Sequence, residues 1–310
     1  MLKYIIRRVL MLIPVMLGVS LVVFTLMYIT PGNPAEILLG EEGGSKEAIE
    51  LLEEEMGLND PYIVRFGRFI WNLVSKGDLG TCYATRQPVS QRIAQTFPNT
   101  LKLAGLSVGL AVVIGVVLGI VSAVKQYSIF DNVAMALAML GTSMPNFWQG
   151  LLLMILFSIH LQWLPASGFS SFKHMILPAV TIGTSSAAVI ARMTRSSMLE
   201  VIRQDYISTA RAKGQSEIVV ILRHALKNAL IPIITTVGIR FGVMMGGAVL
   251  TESIFAIPGI GKMMVDAIKA RNYPVVQGGV LVIALAFSVV NLIVDILYAF
   301  ADPRLKSQYR

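Results

Sequence analysis

Six long apolar runs, each close to the length that crosses a bilayer, constrain this chain more than any other feature. A hydrocarbon core about 30 Å thick takes roughly 20 apolar residues as a helix, so such runs can be counted along the sequence. They fall at residues 9–30, at 103–124, and in the stretch after Asn132 that ends near His160. Three more run from about His174 to Arg192, from about Asn228 to Thr251 with Arg240 inside, and over 275–300 with Asp295 inside. Of the 310 residues 55% are hydrophobic and 14% charged, and the mean hydropathy of +0.69 is too high for a soluble domain of this size. The expectation is an all-α polytopic membrane protein with six transmembrane helices.

Charge placement orients those spans. The net charge of +8 does not indicate a nucleic-acid partner, because the bases cluster in short segments between apolar runs, as the positive-inside rule requires. Lys3, Arg7 and Arg8 precede the first run and place the amino terminus in the cytoplasm. That run is too long for a signal peptide and no small-residue cleavage site follows, so it reads as retained. Six crossings then return the tail with Arg304, Lys306 and Arg310 to the cytoplasm, together with the loop from Arg192 to Lys227, whose seven bases face only Glu200, Asp205 and Glu217.

Residues 31–98 fall outside. There the acids Glu36, Glu41, Glu42, Glu47, Glu50, Glu53, Glu54, Glu55, Asp60 and Asp78 outnumber six bases. Residues 45–56 read as an amphipathic helix capped by Ser45, and the Asn59-Asp60-Pro61 turn opens a second helical stretch through Trp71. Tyr62, Phe66, Phe69, Ile70 and Trp71 give this small external subdomain material to pack. The chain divides into 1–30 (tail and first span), 31–98 (external subdomain), 99–303 (five-helix core) and 304–310 (cytoplasmic tail).

Small residues four apart, Gly105 with Gly109 and Gly115 with Gly119, predict close helix packing on the second span. Pro145 removes a helical hydrogen bond and predicts a kink or break in the third. Asn146 and Gln149 beside it either satisfy the freed carbonyls or line a polar pathway. Arg240 and Asp295 are ionisable groups at bilayer depth, which cost about 2.5 to 3.5 kcal/mol to insert and face protein or water. Arg240 is either a pathway cation or a structural arginine, whereas Asp295, four residues after Asn291, lies near the cytoplasmic end.

No catalytic constellation emerges. Cys82 is the single cysteine, which excludes an internal disulfide and a cysteine metal cluster. His160 and His174 flank an external loop and His224 lies inside, none in an H-E-x-x-H pattern. No phosphate loop occurs, and the G-x-S-x-G spelling at Gly105-Leu106-Ser107-Val108-Gly109 lies inside an apolar run, where it makes no strand-to-helix elbow. The chain is therefore not expected to be an enzyme, to hold a metal, or to bind ATP itself.

One polar stretch stands apart: Asp205, Tyr206, Ile207, Ser208, Thr209, Ala210, Arg211, Ala212, Lys213 and Gly214. A short helix of small residues closed by glycine, among Arg192, Arg195, Arg203, Arg223 and Lys227, suits docking into a groove on a soluble partner. Further ordered motifs surround it. They are Pro31-Gly32-Asn33-Pro34, Gly77-Asp78-Leu79-Gly80, Ser143-Met144-Pro145 with Phe147-Trp148, and Thr194-Arg195-Ser196-Ser197-Met198-Leu199. His224-Ala225-Leu226 with Asn228-Ala229, Pro258-Gly259-Ile260-Gly261, Tyr273-Pro274-Val275-Val276-Gln277 and Asp302-Pro303-Arg304 complete the series. In these motifs, over nearly its whole length, the sequence resembles a permease subunit of the dipeptide, oligopeptide and nickel branch of ABC importers.

That resemblance implies a type I importer fold, with the second to sixth spans as the common core and the first wrapping a partner subunit. It also implies that Ser208 to Gly214 form the coupling helix received by a nucleotide-binding subunit, although Ser208 stands where the general signature opens with glutamate. A homologous second permease, two ATPase subunits that bind ATP and Mg, and an extracytoplasmic solute-binding protein would complete the machine. The expected cargo is a di- or oligopeptide, with nickel, free or chelated, as the alternative. An ion-coupled secondary transporter is the rival of another class, and it would need a protonatable group at midplane, which an arginine cannot supply.

Overall fold

The computed structural model describes residues 2–40 and 45–301. Glu41, Glu42, the Asp302-Pro303-Arg304 motif and the basic tail with Lys306 and Arg310 lie outside them. Among the described residues the architecture is helical, with one isolated bridge between Thr81 and Pro88.

Helix α1 (Leu2–Ile29) is followed by three short helices, α2 (Pro34–Leu39), α3 (Lys46–Met56) and α4 (Tyr62–Lys76). Each start has a local cause. Asn33 caps α2 by accepting from the Ala35 N–H at 3.0 Å; Ser45, the cap expected from the sequence, accepts from the Ala48 N–H at 3.2 Å at the start of α3. Pro61 opens α4, where a missing N–H removes nothing the helix needs. Long helix α5 (Val89–Val124) leads to α6 (Ile129–Ser143) and α7 (Asn146–Met154), which continues as a π-helical segment to His160. Then come α8 (Phe172–Ile202), α9 (Asp205–Ala212), the single turn α10 (Glu217–Val219) with a second π segment to Leu226, and α11 (Lys227–Ile254). Helices α12 (Ile260–Lys269) and α13 (Tyr273–Ala301) end the described chain.

Among the described residues five helices are long and apolar enough to cross a membrane: Ile6–Ile29, Val89–Val124, Phe172–Ile202, Glu217–Gly246 and Tyr273–Ile296. The third expected span is instead two shorter apolar helices, α6 and α7. Met144 is extended at φ −79°, ψ 128°, as the residue before a proline prefers, and Pro145 then starts the next helix. The fourth span runs on past Arg192 to Ile202, because Thr194, Ser197 and Met198 are buried and keep that helix packed.

The chain forms two compact units. One joins Ile6–Thr100 to Pro258–Ser288. Its core gathers Met27, Cys82, Val89, Ile93, Ile260, Met263 and Val276, with Tyr273 and Val275 alongside. On α4, Tyr62, Phe66 and Phe69 pack around Phe24 of α1, with ring centroids 5.3, 5.3 and 6.3 Å away. Trp71, expected to share that packing, is 70% exposed. It lies on the opposite face of α4, with Ile63 and Val74.

The other unit is built on Leu101–Ile257 with Met1–Ile5 and Val289–Arg310. Within it α8 is the central helix, packed against α6, α7 and α11. A Cβ added at Gly115 would lie 2.7 Å from the Ala187 carbonyl, and one at Gly119 2.7 Å from that of Ala191, so this glycine pair admits the α8 backbone. Gly105 and Gly109 have nothing within 4 Å of such a Cβ, so the packing expected there is not made within the chain.

Candidate docking helix and pathway residues

Helix α9 is held by one face and open on the other. Ile207 is fully buried and Ala210 is 8% exposed. They sit in an apolar cluster with Met198 of α8, Ala123 of α5, Val220, Ile221 and Ala225 of the second π segment, and Ala229 and Ile233 of α11. Residues three apart share a helix face, so burying these two turns Asp205, Tyr206, Ser208, Thr209, Arg211 and Ala212 outward. Ala210, read from the sequence with the outward residues of this stretch, has its methyl in the chain's own core.

The turn after α9 is braced on both sides. Gly214 has φ +76°, the left-handed region open to glycine, and a Cβ there would meet nothing within 4 Å, so conformation and not space selects the residue. Its N–H donates to the Arg211 carbonyl at 2.9 Å. Arg211 in turn donates Nη2 to Glu217 Oε1 at 2.6 Å and Nε to Oε2 at 3.1 Å, clasping the exposed Lys213 and Gly214 between them. Beyond α10, Val220–Leu226 is a seven-residue π helix, a rare geometry that often marks functional segments, and it carries Arg223 and His224.

The intramembrane candidates occupy different depths. Arg240 lies midway along α11, partly exposed, and makes no ion pair or hydrogen bond among the described residues. Asn146 and Gln149 are half-buried on the first turn of α7, and Gln149 Oε1 is buried without a hydrogen-bond partner among the described residues. The next residue, Gly150, packs against Thr181 and the Phe255 ring, about four helical turns from Arg240. Arg240 and the two amides thus do not form one cluster. Asp295 is half-buried on α13.

One buried ion pair escaped the sequence reading. Asp131, on the first turn of α6, receives Arg195 of α8 through two bonds, Nε to Oδ1 and Nη2 to Oδ2, both 2.7 Å. The Asp131 side chain is 2% exposed and that of Arg195 24%. The signal that could have found the pair was Arg195 itself, an arginine within what turned out to be a continuous buried helix.

In this arrangement of helices the fold is that of an ABC transporter membrane subunit. The methionine transporter MetNI in an inward-facing conformation is similar, with a TM-score of 0.60 at 17% identity over 69% of this chain and 97% of that one. An amino acid ABC transporter determined with histidines gives 0.50 at 16% identity, covering 69% and 94%. The chain belongs to the family described as binding-protein-dependent transport system inner membrane component, which matches residues 115–307, its N-terminal part matching 1–104. A dipeptide transport system permease protein, DppB of Alkalihalophilus pseudofirmus, is 46% identical over 99% of this chain and 100% of the relative. The glutathione transport system permease protein GsiC of Salmonella paratyphi A is 43% identical, covering 99% of each. DppB of Escherichia coli K12 is 41% identical, again covering 99% of each. The chain is accordingly a multi-pass inner-membrane transport permease.

Proposed function

We propose that this chain is one half of the membrane pathway of an ATP-driven importer of dipeptides and short oligopeptides. The observation that carries the reading is near-complete, 46% identical alignment with a dipeptide permease, combined with a helix whose polar face is open and whose apolar face is anchored. A second, homologous permease completes the pathway, and an extracytoplasmic binding protein delivers the peptide. Two ATPase subunits hold ATP and Mg, and this chain hydrolyses nothing itself. Both termini and α9 face the cytoplasm.

In this mechanism the ATPases grip Asp205, Tyr206, Ser208, Thr209, Arg211, Ala212, Lys213 and Gly214. Their closure moves α9, and the helices rock so that the pathway opens to one side and then the other. The relatives described above are named for dipeptide and glutathione transport, which favours a peptide over nickel. Arg240, without an ion pair among the described residues, supports the same choice, since a fixed cation repels a bare divalent metal and accepts a peptide carboxylate.

Uptake of radiolabelled dialanine in a strain lacking this gene tests the reading. Restoration by the wild-type chain is expected, with excess unlabelled dipeptide competing and nickel chloride not. The Arg240→Gln variant should assemble normally and shift the ratio of acidic to basic peptide uptake, because glutamine keeps hydrogen-bonding capacity without the charge. Dialanine uptake that does not depend on the gene would refute a peptide cargo.

A further inference from the structure

The contact between α6 and α8 is mainly apolar, with one ion pair across it. Gly141 on α6 packs on Thr184 and Ala188 of α8, and Ala134 and Ala138 of α6, with the bulkier Phe130, Val133 and Leu137, share an apolar groove of 240 Å³ with Ala187 and Ala191 of α8 and with α5. Apolar contact of this kind is non-directional, so around an unfilled groove it leaves one helix freer to slide or turn on the other than a hydrogen-bonded contact would. Only the buried Asp131–Arg195 pair is directional there, and among the described ion pairs no other joins α6 to α8.

Asp131 is itself held rigidly. Its Oδ2 also accepts from the Tyr127 N–H at 3.0 Å, and its own N–H donates to Ser128 Oγ at 3.2 Å. Tyr127 holds φ +63°, a left-handed conformation that a non-glycine residue keeps only where its surroundings hold it. Arg195, for its part, lies one helical turn before Met198, which shares the apolar cluster with Ile207 and Ala210 of α9. A continuous path therefore runs from α9 through Met198 to Arg195, across the fork to Asp131, and along α6 to the break at Pro145 and the amides of α7.

We propose that Asp131 and Arg195 are positioning residues for transport, a two-bond joint that makes α6 follow α8 when α9 is moved. The inference rests on the reading of α9 as the docking element. A planar fork suits this role because two parallel bonds oppose rotation as well as translation. An apolar contact of equal stability would permit slip, and buried ion pairs are seldom the most stabilising choice for a site.

The test uses the complete complex with its ATPase subunits in nanodiscs, in a Cys82→Ser background with a fluorescent maleimide at Phe147→Cys on the exposed face of α7. Wild type should show an emission change on adding ATP and vanadate. Asp131→Asn, close in shape and still an acceptor for the Tyr127 N–H, should keep its assembled yield and ATP hydrolysis while that change and the peptide taken up per ATP fall about tenfold. Arg195→Lys keeps the charge and gives up the fork, and should fall between the two. An Asp131→Asn complex that responds as wild type overturns the joint, as does a loss that merely tracks a lower assembled yield. Should Asp131→Asn not assemble, a full wild-type response in Arg195→Lys overturns it instead. If wild type itself gives no nucleotide response, α9 is not a docking element and the joint falls with it, an outcome distinct from a variant that moves normally.

Discussion

Cys82 shows how much a single side chain owes to its neighbours. Fully buried, it accepts from Arg92 Nη1 at 2.8 Å and Asn272 Nδ2 at 3.1 Å. Burial pushes the thiol up, but these donors and Thr85 outweigh it and bring it from the ordinary 9.0 down to about 7. Nearby Tyr83 is pushed up to about 12, chiefly by burial, and stays neutral. A folded-state value below the unfolded one means that the native state sheds its proton first. Stability should therefore rise between about pH 7 and pH 9, by about 3 kcal/mol, and the gain is lost as pH falls through 7. Melting followed by tryptophan fluorescence at three pH values should show that slope in wild type and a flat profile in Cys82→Ser; equal slopes would discard the thiolate. None of this was legible in the sequence, where a lone cysteine signified only the absence of a disulfide. Asn272 reaches the sulfur from 190 positions away.

At the scale of elements, caps and breaks read well and seats did not. Ser45, Asn33 and Pro145 act through the residues next to them, so their roles follow from local chemistry. Helix α9 was found as a polar stretch closed by glycine, but which of its residues face inward depends on the cluster of Met198, Val220 and Ala229, which no local pattern announces. Gly214→Pro should break the turn twice, because proline requires a φ near −65° and has no N–H for the Arg211 carbonyl. The complex should still assemble, while ATP hydrolysis stimulated by substrate falls about tenfold. Gly214→Ala, with a left-handed cost of about 1 to 2 kcal/mol, should fall only part of the way. Normal stimulation in Gly214→Pro, assayed in nanodiscs, would remove this turn from the coupling mechanism.

Over the whole molecule, orientation across the bilayer is the property that charge placement predicts. Ser45 and Ser216 are both exposed, so single cysteines there, in a Cys82→Ser background, report the side on which each lies. An impermeant maleimide should label Ser45→Cys in sealed cells and Ser216→Cys only after permeabilisation. Reaction of Ser216→Cys from outside would invert the topology. What the chain determined by itself was whatever depends on transfer from water to lipid or on the next few residues: the number of apolar runs, the helical class, the caps, the proline break and the motifs of the family. Tertiary structure decided the rest. It chose Gly115 and Gly119 over Gly105 and Gly109 as the packing pair, turned Ala210 inward, separated Arg240 from Asn146 and Gln149, and joined Asp131 to Arg195 across 64 positions. Those outcomes depend on which helix lies beside which, and a helical repeat fixes the faces of one helix without naming its neighbour.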